Sequence, residues 1–506
     1  MKFLLRCQSL LRKNILSRVS LFALAGALLA YVSSPCWAME QHTEGEKDRD
    51  RSSVAHVPME GLIIDMVLPE EILLKIMSYK GVTKAISQVS RYFHQLSCDP
   101  TLNLTMVIDS IEKLNWVCKP RNTSGYELPS VPHIKFSALD ISEFSRSDKC
   151  QVRILQQLLS GHPHLVSLDL LNNRLRDEAG IVIGNYLATN SSLHSLDLRS
   201  NTIGSKGGRA IGNALATNSS LTALYLNSNK LGDEGGKVIG SALTTNSSLR
   251  LLDLSNNKLL DEGGISLGNA LTTNSSLTAL DLRCNKLGDG GGRAIGNAIL
   301  TNSSLRRLNL SDNKLHDEGG IAIGNGLTKN SSLILLNLNF NDIGDKGATA
   351  IAKSLSSNFT LTMLFLSCNK IGDEGGRAIG NALTTNSSLT ELHLVGNDFS
   401  QEGGIAIGNA LMMNSSLKSL DLSMSQIDDE GCIAISKALP ENSSLRSLDL
   451  SRNKLSDKGA IAITESLRRN VTLTLLYLNG NNFSNEGYKA ISDARKSNTK
   501  TTTTIF

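Results

Sequence analysis

Apolar residues return along this chain with two short periods nested inside a long one. Within Leu221-Thr-Ala-Leu224-Tyr-Leu226 they alternate, which predicts a short strand with Leu224 and Leu226 turned one way and Tyr225 the other. Beyond a turn at Asn229, Ile239, Ala242 and Leu243 fall at i, i+3 and i+4, the spacing of one helix face. The whole unit then repeats. Leucine triplets stand at Leu165, Leu168 and Leu170 and recur at a constant step of 28 residues up to Leu473, Leu476 and Leu478, twelve copies without insertion or deletion. Such an array buries each unit's apolar face only against its neighbours, which makes it a solenoid. Strands stack at about 4.8 Å whereas helices need roughly 10 Å, so the array must bend with its strands inside. The expected fold class is α/β: a horseshoe with a concave parallel β-sheet and convex helices.

Individual columns of the repeat carry their own expectations. Asn229 recurs in eleven of the twelve copies, where its amide can satisfy backbone groups of the turn, and the exception, Ser425, predicts a local weakness. The helix is expected to begin at Asp233 or its equivalent, which is Asp, Ser or Asn in eleven copies and Gln401 in the other. Gly240 and the Gly235-Gly236 pair are poor helix formers, by about 1 kcal/mol each against Ala. Their repetition predicts close approach between helices. The pattern LxxLxLxxNxL resembles the leucine-rich repeat, and the 28-residue length with a DEGGxAIGNAL helix resembles its ribonuclease-inhibitor type.

The flanks divide into segments. Residues 1–38 have a basic start, a short apolar run and Cys36-Trp37-Ala38 at the end, which resembles a signal peptide and predicts secretion. The apolar run is short for a membrane span, and the membrane becomes a partner only if that signal stays uncleaved. Residues 39–60 are charged and aperiodic, a disordered linker. Residues 62–118 read as a small all-α module, with Pro69, Glu70 and Glu71 suiting a first helical turn and Ile72, Leu73 and Ile76 one apolar face. Leu68-Pro69, Glu71-Ile72, Ile76, Val89 to Phe93, Leu96 and Asp99-Pro100 resemble an F-box, although Tyr79 to Thr83 lacks the usual Leu-Pro turn. The resemblance implies docking on a Skp-type adaptor of a cullin ubiquitin ligase through Leu68, Pro69, Ile72, Ile76 and Val89. It also implies a eukaryotic cytoplasm, which an exported bacterial effector inside a host cell would reconcile with the signal. Residues 134–164, with Phe136, Leu139 and Ile141 as strand and Val152 to Leu159 as helix, form the expected N-terminal cap. Residues 165–496 hold the repeats and a C-terminal cap, and 497–506 a polar tail.

Charge narrows the function. The chain has 51 basic and 47 acidic side chains, and five of the basic ones lie in residues 1–38 with no acid, so the remainder is near neutral and offers no footprint for nucleic acid. The outward strand column runs Asp169, Asp197, Tyr225, Asp253, Asp281, Asn309, Asn337, Phe365, His393, Asp421, Asp449, Tyr477. A row of like carboxylates lacks the varied oxygen ligands of a calcium site, so no metal is expected. Tyr225, Phe340, Met363, Phe365, His393 and Tyr477 are the candidate protein-binding residues, because aromatic anchors dominate interfaces. The basic column that includes Lys230, Lys258, Lys314 and Lys370 reads as a solvated, locally paired edge. Cys284 and Cys368 sit at equivalent positions three repeats apart, about 14 Å by strand spacing, beyond disulfide reach. Asn-Ser-Ser recurs as a formal glycosylation signal, but Asn also closes helices, the reading preferred here. No enzyme signature and no cofactor are expected. The leading expectation is a protein-binding adaptor. The alternatives are an exported or surface recognition protein without a ubiquitin role and, more weakly, a GTPase regulator, since similar 28-residue arrays occur in activators of the Ran-type GTPase.

Overall fold

The computed structural model describes residues 148–497 and four strands outside them, Ile63–Ile64, Asn103–Ile108, His133–Phe136 and Thr502–Thr504. Numbering the repeats 1 to 12 from Leu165, each contributes one three-residue strand, from Ser167–Asp169 to Leu475–Tyr477, followed by a helix. The strands pair in sequence order, all parallel, with every repeat strand in register with the residues 28 positions away: Leu224 with Leu252, Tyr225 with Asp253. The result is the leucine-rich-repeat horseshoe, with its sheet concave and its helices convex. Leu224, Leu226, Leu231, Ile239 and Leu243 of repeat 3 are fully buried, and their equivalents continue one uninterrupted core.

Three columns lock the repeats together, and two of them work differently from what spacing alone implies. The Asn229 column forms the expected ladder. Asn285 donates its amide to the carbonyls of Leu254 and Leu282 at 3.0 and 2.9 Å, and its oxygen accepts from Asn257 N at 2.9 Å and Leu259 N at 3.3 Å. Ser425 donates to Leu394 O at 2.8 Å but meets Asn397 N only at 3.5 Å, so the link is thinner there. The asparagines of Asn-Ser-Ser form a second ladder at the other end of the strand. Asn246 is buried, donates to Leu215 O and Asn218 O of the preceding repeat at 2.8 and 3.0 Å, and accepts from Leu249 N at 2.9 Å. A glycan on such a nitrogen would break the stack.

The helix-start carboxylate corrects the expected N-cap. Asp233 lies inside the first turn of its own helix, Gly232–Leu243, and accepts instead from Gly263 N of the next repeat at 2.7 Å. Asp317 does the same for Gly344 N and Gly347 N, and Asp345 for Gly372 N and Gly375 N. Asp233, Asp317 and Asp345 thus cap the neighbour's helix, meeting its orphan N–H groups and its positive end, whereas Asp289 in repeat 5 makes no such bond. Gln401 cannot serve repeat 10, and there Asp428 caps its own helix through Gly431 N at 3.0 Å.

The glycine columns permit this closeness. A Cβ on Gly240 would lie 2.8 Å from Ser266 C, and one on Gly236 would lie 3.0 Å from Gly263 Cα. At the N-terminal end the strand before repeat 1 is His133–Phe136 and its helix is Asp148–Gly161, while Leu139 and Ile141, expected in that first strand, lie outside the described residues. Asn103–Ile108, expected within an all-helical module, is a strand paired in parallel with His133–Phe136. The helices expected between Leu68 and Leu96 lie outside the described residues. At the other end the polar tail supplies Thr502–Thr504, which pairs with Leu475–Tyr477 and covers an edge left open by repeat 12.

Candidate protein-binding face

Each strand presents two outward rows on the concave face, one ending at the Tyr225 column and one two residues earlier. In the Tyr225 column the Asp and Asn residues hold the turn that follows their strand. Asp169, Asp197, Asp253, Asp281, Asn309, Asn337, Asp421 and Asp449 each accept from the backbone N–H two residues on, at 2.8 to 3.1 Å. The four repeats without that bond carry Tyr225, Phe365, His393 and Tyr477. In repeat 8 the N–H that Phe365 cannot serve, that of Ser367, is taken by Asn339 Oδ1 of repeat 7 at 2.7 Å. A ring therefore replaces a turn-holding carboxylate, and a neighbour repairs the turn.

These rings are not one cluster. Phe365 and His393 stack with centroids 4.7 Å apart and planes 26° from parallel. Met363 shares the strand of Phe365, and the adjoining outward row pairs it with Leu335 on one side and Glu391 on the other. Tyr225 stands apart, five strands away and roughly 24 Å by strand spacing, with the Arg199 guanidinium 5.4 Å from its ring centre. Tyr477 is four strands away on the opposite side, roughly 19 Å. Phe340 follows the strand of repeat 7, is 58% exposed, and holds a left-handed φ of 56°, as the matching position does in every repeat, from Asn172 to Gly480.

Electrostatics sets the rim. His393 Nδ1 lies 3.7 Å from Asp421 Oδ2. Burial, the largest influence on Asp421, raises its carboxyl, but the nearby His393 and hydrogen bonds from Ser423 outweigh it and hold it below the ordinary range. Asp449, beside it, is held above that range by burial and then by the Asp421 charge. On the other side Asp281 is raised by burial and accepts from Asn309 Nδ2 at 3.1 Å. Among the described residues Cys284, Cys368 and Cys432 are free, and burial pushes the Cys284 thiol up to about 11 and the Cys432 thiol to about 12, far from a reactive thiolate. Among the described residues no three His, Cys, Asp or Glu side chains converge on a point that could hold a metal ion. Leu335 and Glu391 were not singled out from sequence. The signal was present, since alternation gives each strand two outward positions.

Eleven segments of the chain match the family described as Leucine Rich repeat: residues 189–212, 217–240, 245–268, 273–296, 301–324, 329–352, 357–380, 385–408, 414–436, 441–463 and 469–492, together more than half of the chain. A comparison with curated proteins gave no match. Similar solved structures include an internalin (inlF) from Listeria monocytogenes str. 4b F2365, 22% identical over 73% of this chain and 98% of that one, with a TM-score of 0.48. The APL1 leucine-rich repeat domain is 18% identical over 67% of this chain and 80% of its own, with a TM-score of 0.41. Actin-binding site 2 of Leiomodin-1 is 27% identical over 25% of this chain and 73% of its own, with a TM-score of 0.21.

Proposed function

The chain belongs to the leucine-rich repeat family, and from that premise we propose that it is a protein-binding adaptor whose concave face holds a target through a site centred on Phe365 and His393. A role in protein–protein interaction is what a leucine-rich-repeat array of this kind is consistent with. The observation that carries the particular site is the exchange of a turn-holding carboxylate for a stacked ring at Phe365, with Asn339 repairing the turn. The exposed ring of Phe340 supports the same reading. The 28-residue period and helix pattern support the ribonuclease-inhibitor type. The finer part of the proposal rests on resemblance: Leu68, Pro69, Ile72, Ile76 and Val89 recruit a Skp-type adaptor, and residues 1–38 export the chain to act in a host cytoplasm.

Two experiments separate the halves. Targets captured by the full chain should bind Phe365→Ala at least tenfold more weakly, a loss of about 2 kcal/mol for a central aromatic anchor; affinity unchanged by both Phe365→Ala and His393→Ala would rule out the concave site. The full chain should also co-elute with a purified Skp-type adaptor at micromolar concentration, and Ile72→Ala should abolish this. No co-elution leaves an exported recognition protein without a ubiquitin role.

A further inference from the structure

We propose that the concave site receives an amphipathic helix of the partner in one fixed orientation, its acidic end over repeat 6 and its basic end over repeats 10 and 11. This rests on Phe365 and His393 being the binding centre. The register orders the face. In one outward row Arg307, Leu335, Met363 and Glu391 pair in succession. In the other, Asn337, Phe365, His393, Asp421 and Asp449 do so. Read along the array, both rows pass from cationic or neutral through apolar to anionic.

The charges at the two ends face outward. Arg307 is exposed, whereas Asp281, the nearest acid in the preceding repeat, is engaged by Asn309 and lies 3.6 Å from Arg283 Nε. At the anionic end Asp421 and Asp449 are separated from the adjoining row only by Ser419 and Ser447, so two carboxylates dominate a stretch of small side chains. Lys418 and Arg446 stand one position before those serines, at the strand entrance, and the Arg446 guanidinium is drawn to the carbonyls of Ser443 and Thr472. Asp449 is the uncomfortable member of the acidic pair, because burial and the Asp421 charge both raise its carboxyl, whereas Asp421 is held low by Ser423 and the nearby His393. A basic side chain from a partner relieves that repulsion.

Backbone chemistry selects a helix. The sheet's own N–H and C=O groups are spent on neighbouring strands, so its face offers side chains only. A helix, which satisfies its own backbone internally, suits a face of that kind. From Arg307 to Asp449 is five strand steps, roughly 24 Å, which a helix of about 16 residues spans.

The test is a display library of 16-residue helical peptides with a Leu and Phe stripe and with Glu or Lys randomised at both ends, panned on the full chain. Enriched peptides should carry Glu at one end and Lys at the other and lose at least tenfold in affinity to Phe365→Ala. Arg307→Glu should instead select Lys at both ends, and Asp449→Asn with Glu391→Gln should relax the Lys preference. A photocrosslinker at the acidic end of an enriched peptide should label repeat 6. Peptides that depend on Phe365 but show no charge polarity, or that label repeats 10 and 11 from the acidic end, overturn the orientation and leave the concave site standing. No peptide dependent on Phe365 overturns both.

Discussion

Gly296 sits within a helix, where alanine is ordinarily the better residue by about 1 kcal/mol. Here a Cβ would lie 2.4 Å from the Ala322 carbonyl carbon, a backbone atom that cannot swing away. Gly296→Ala should therefore destabilise the fold by about 1–3 kcal/mol, whereas Gly161→Ala, whose Cβ meets nothing within 4 Å, should be neutral or stabilising. Urea midpoints of the two variants decide it: equal shifts would refute the close approach. The carboxylates of the Tyr225 column offer a second residue-scale test. The Asp449 carboxyl is raised in the folded chain, mainly by burial, so the fold binds its proton more readily than the unfolded chain does. Stability from this group is fully present below the unfolded carboxylate pKa of about 3.9 and is lost as pH rises through the raised folded value. Asn309 shows that an amide can hold the same turn. Asp449→Asn should thus raise the thermal midpoint at pH 7 and leave it nearly unchanged at pH 3; a gain that is the same at both would discount the titration.

At the scale of the element, the helices and strands were legible from periodicity, since leucine spacing alone separates a two-residue from a 3.6-residue repeat. The partner of each helix-start carboxylate was not. Asp373 accepts from Ser400 N and Gly403 N of the next repeat at 2.8 and 2.7 Å, and from Ser400 Oγ. Burial, the largest influence, raises its carboxyl, yet those hydrogen bonds hold it below the ordinary range. Asp373→Ala should cost about 1 kcal/mol and should expose Ser400 and Gly403, not the helix that Asp373 itself begins, to faster amide exchange. The wild-type contribution is present above the unfolded pKa and disappears as pH falls through the lowered folded one. Faster exchange in helix Asp373–Leu383 instead would restore the ordinary N-cap assignment.

Across the whole molecule, stability is a sum over repeats and their interfaces, so one thin interface sets where opening begins. Repeats 9 and 10 meet at such a place. Gln401 supplies no carboxylate to the next helix, and Ser425 gives the asparagine ladder one strong bond to Leu394 and a 3.5 Å approach to Asn397 N. Asp428 repairs the helix end from within repeat 10 but adds nothing across the interface. Amides of residues 397–431 should exchange fastest among the central repeats, and Gln401→Asp combined with Ser425→Asn should slow them and raise the unfolding free energy by about 1–2 kcal/mol, seen as a higher urea midpoint. Uniform exchange along the array would show that these substitutions are already absorbed.

The repeat, its length, the alternation of strand and helix and the inward leucines were all readable before folding, because each follows from spacing along one chain. That spacing also placed Phe365 and His393 in one column. Which groups the polar columns serve emerges with the packed fold, since Asp233 and Gly263 are brought together by stacking, 30 residues apart, and not by local turn chemistry. The same holds for the face. That Arg307, Leu335, Met363 and Glu391 form one row, that Phe365 lies against His393, and that Asn339 repairs the turn of Ser367 all depend on register between strands, which no single repeat contains.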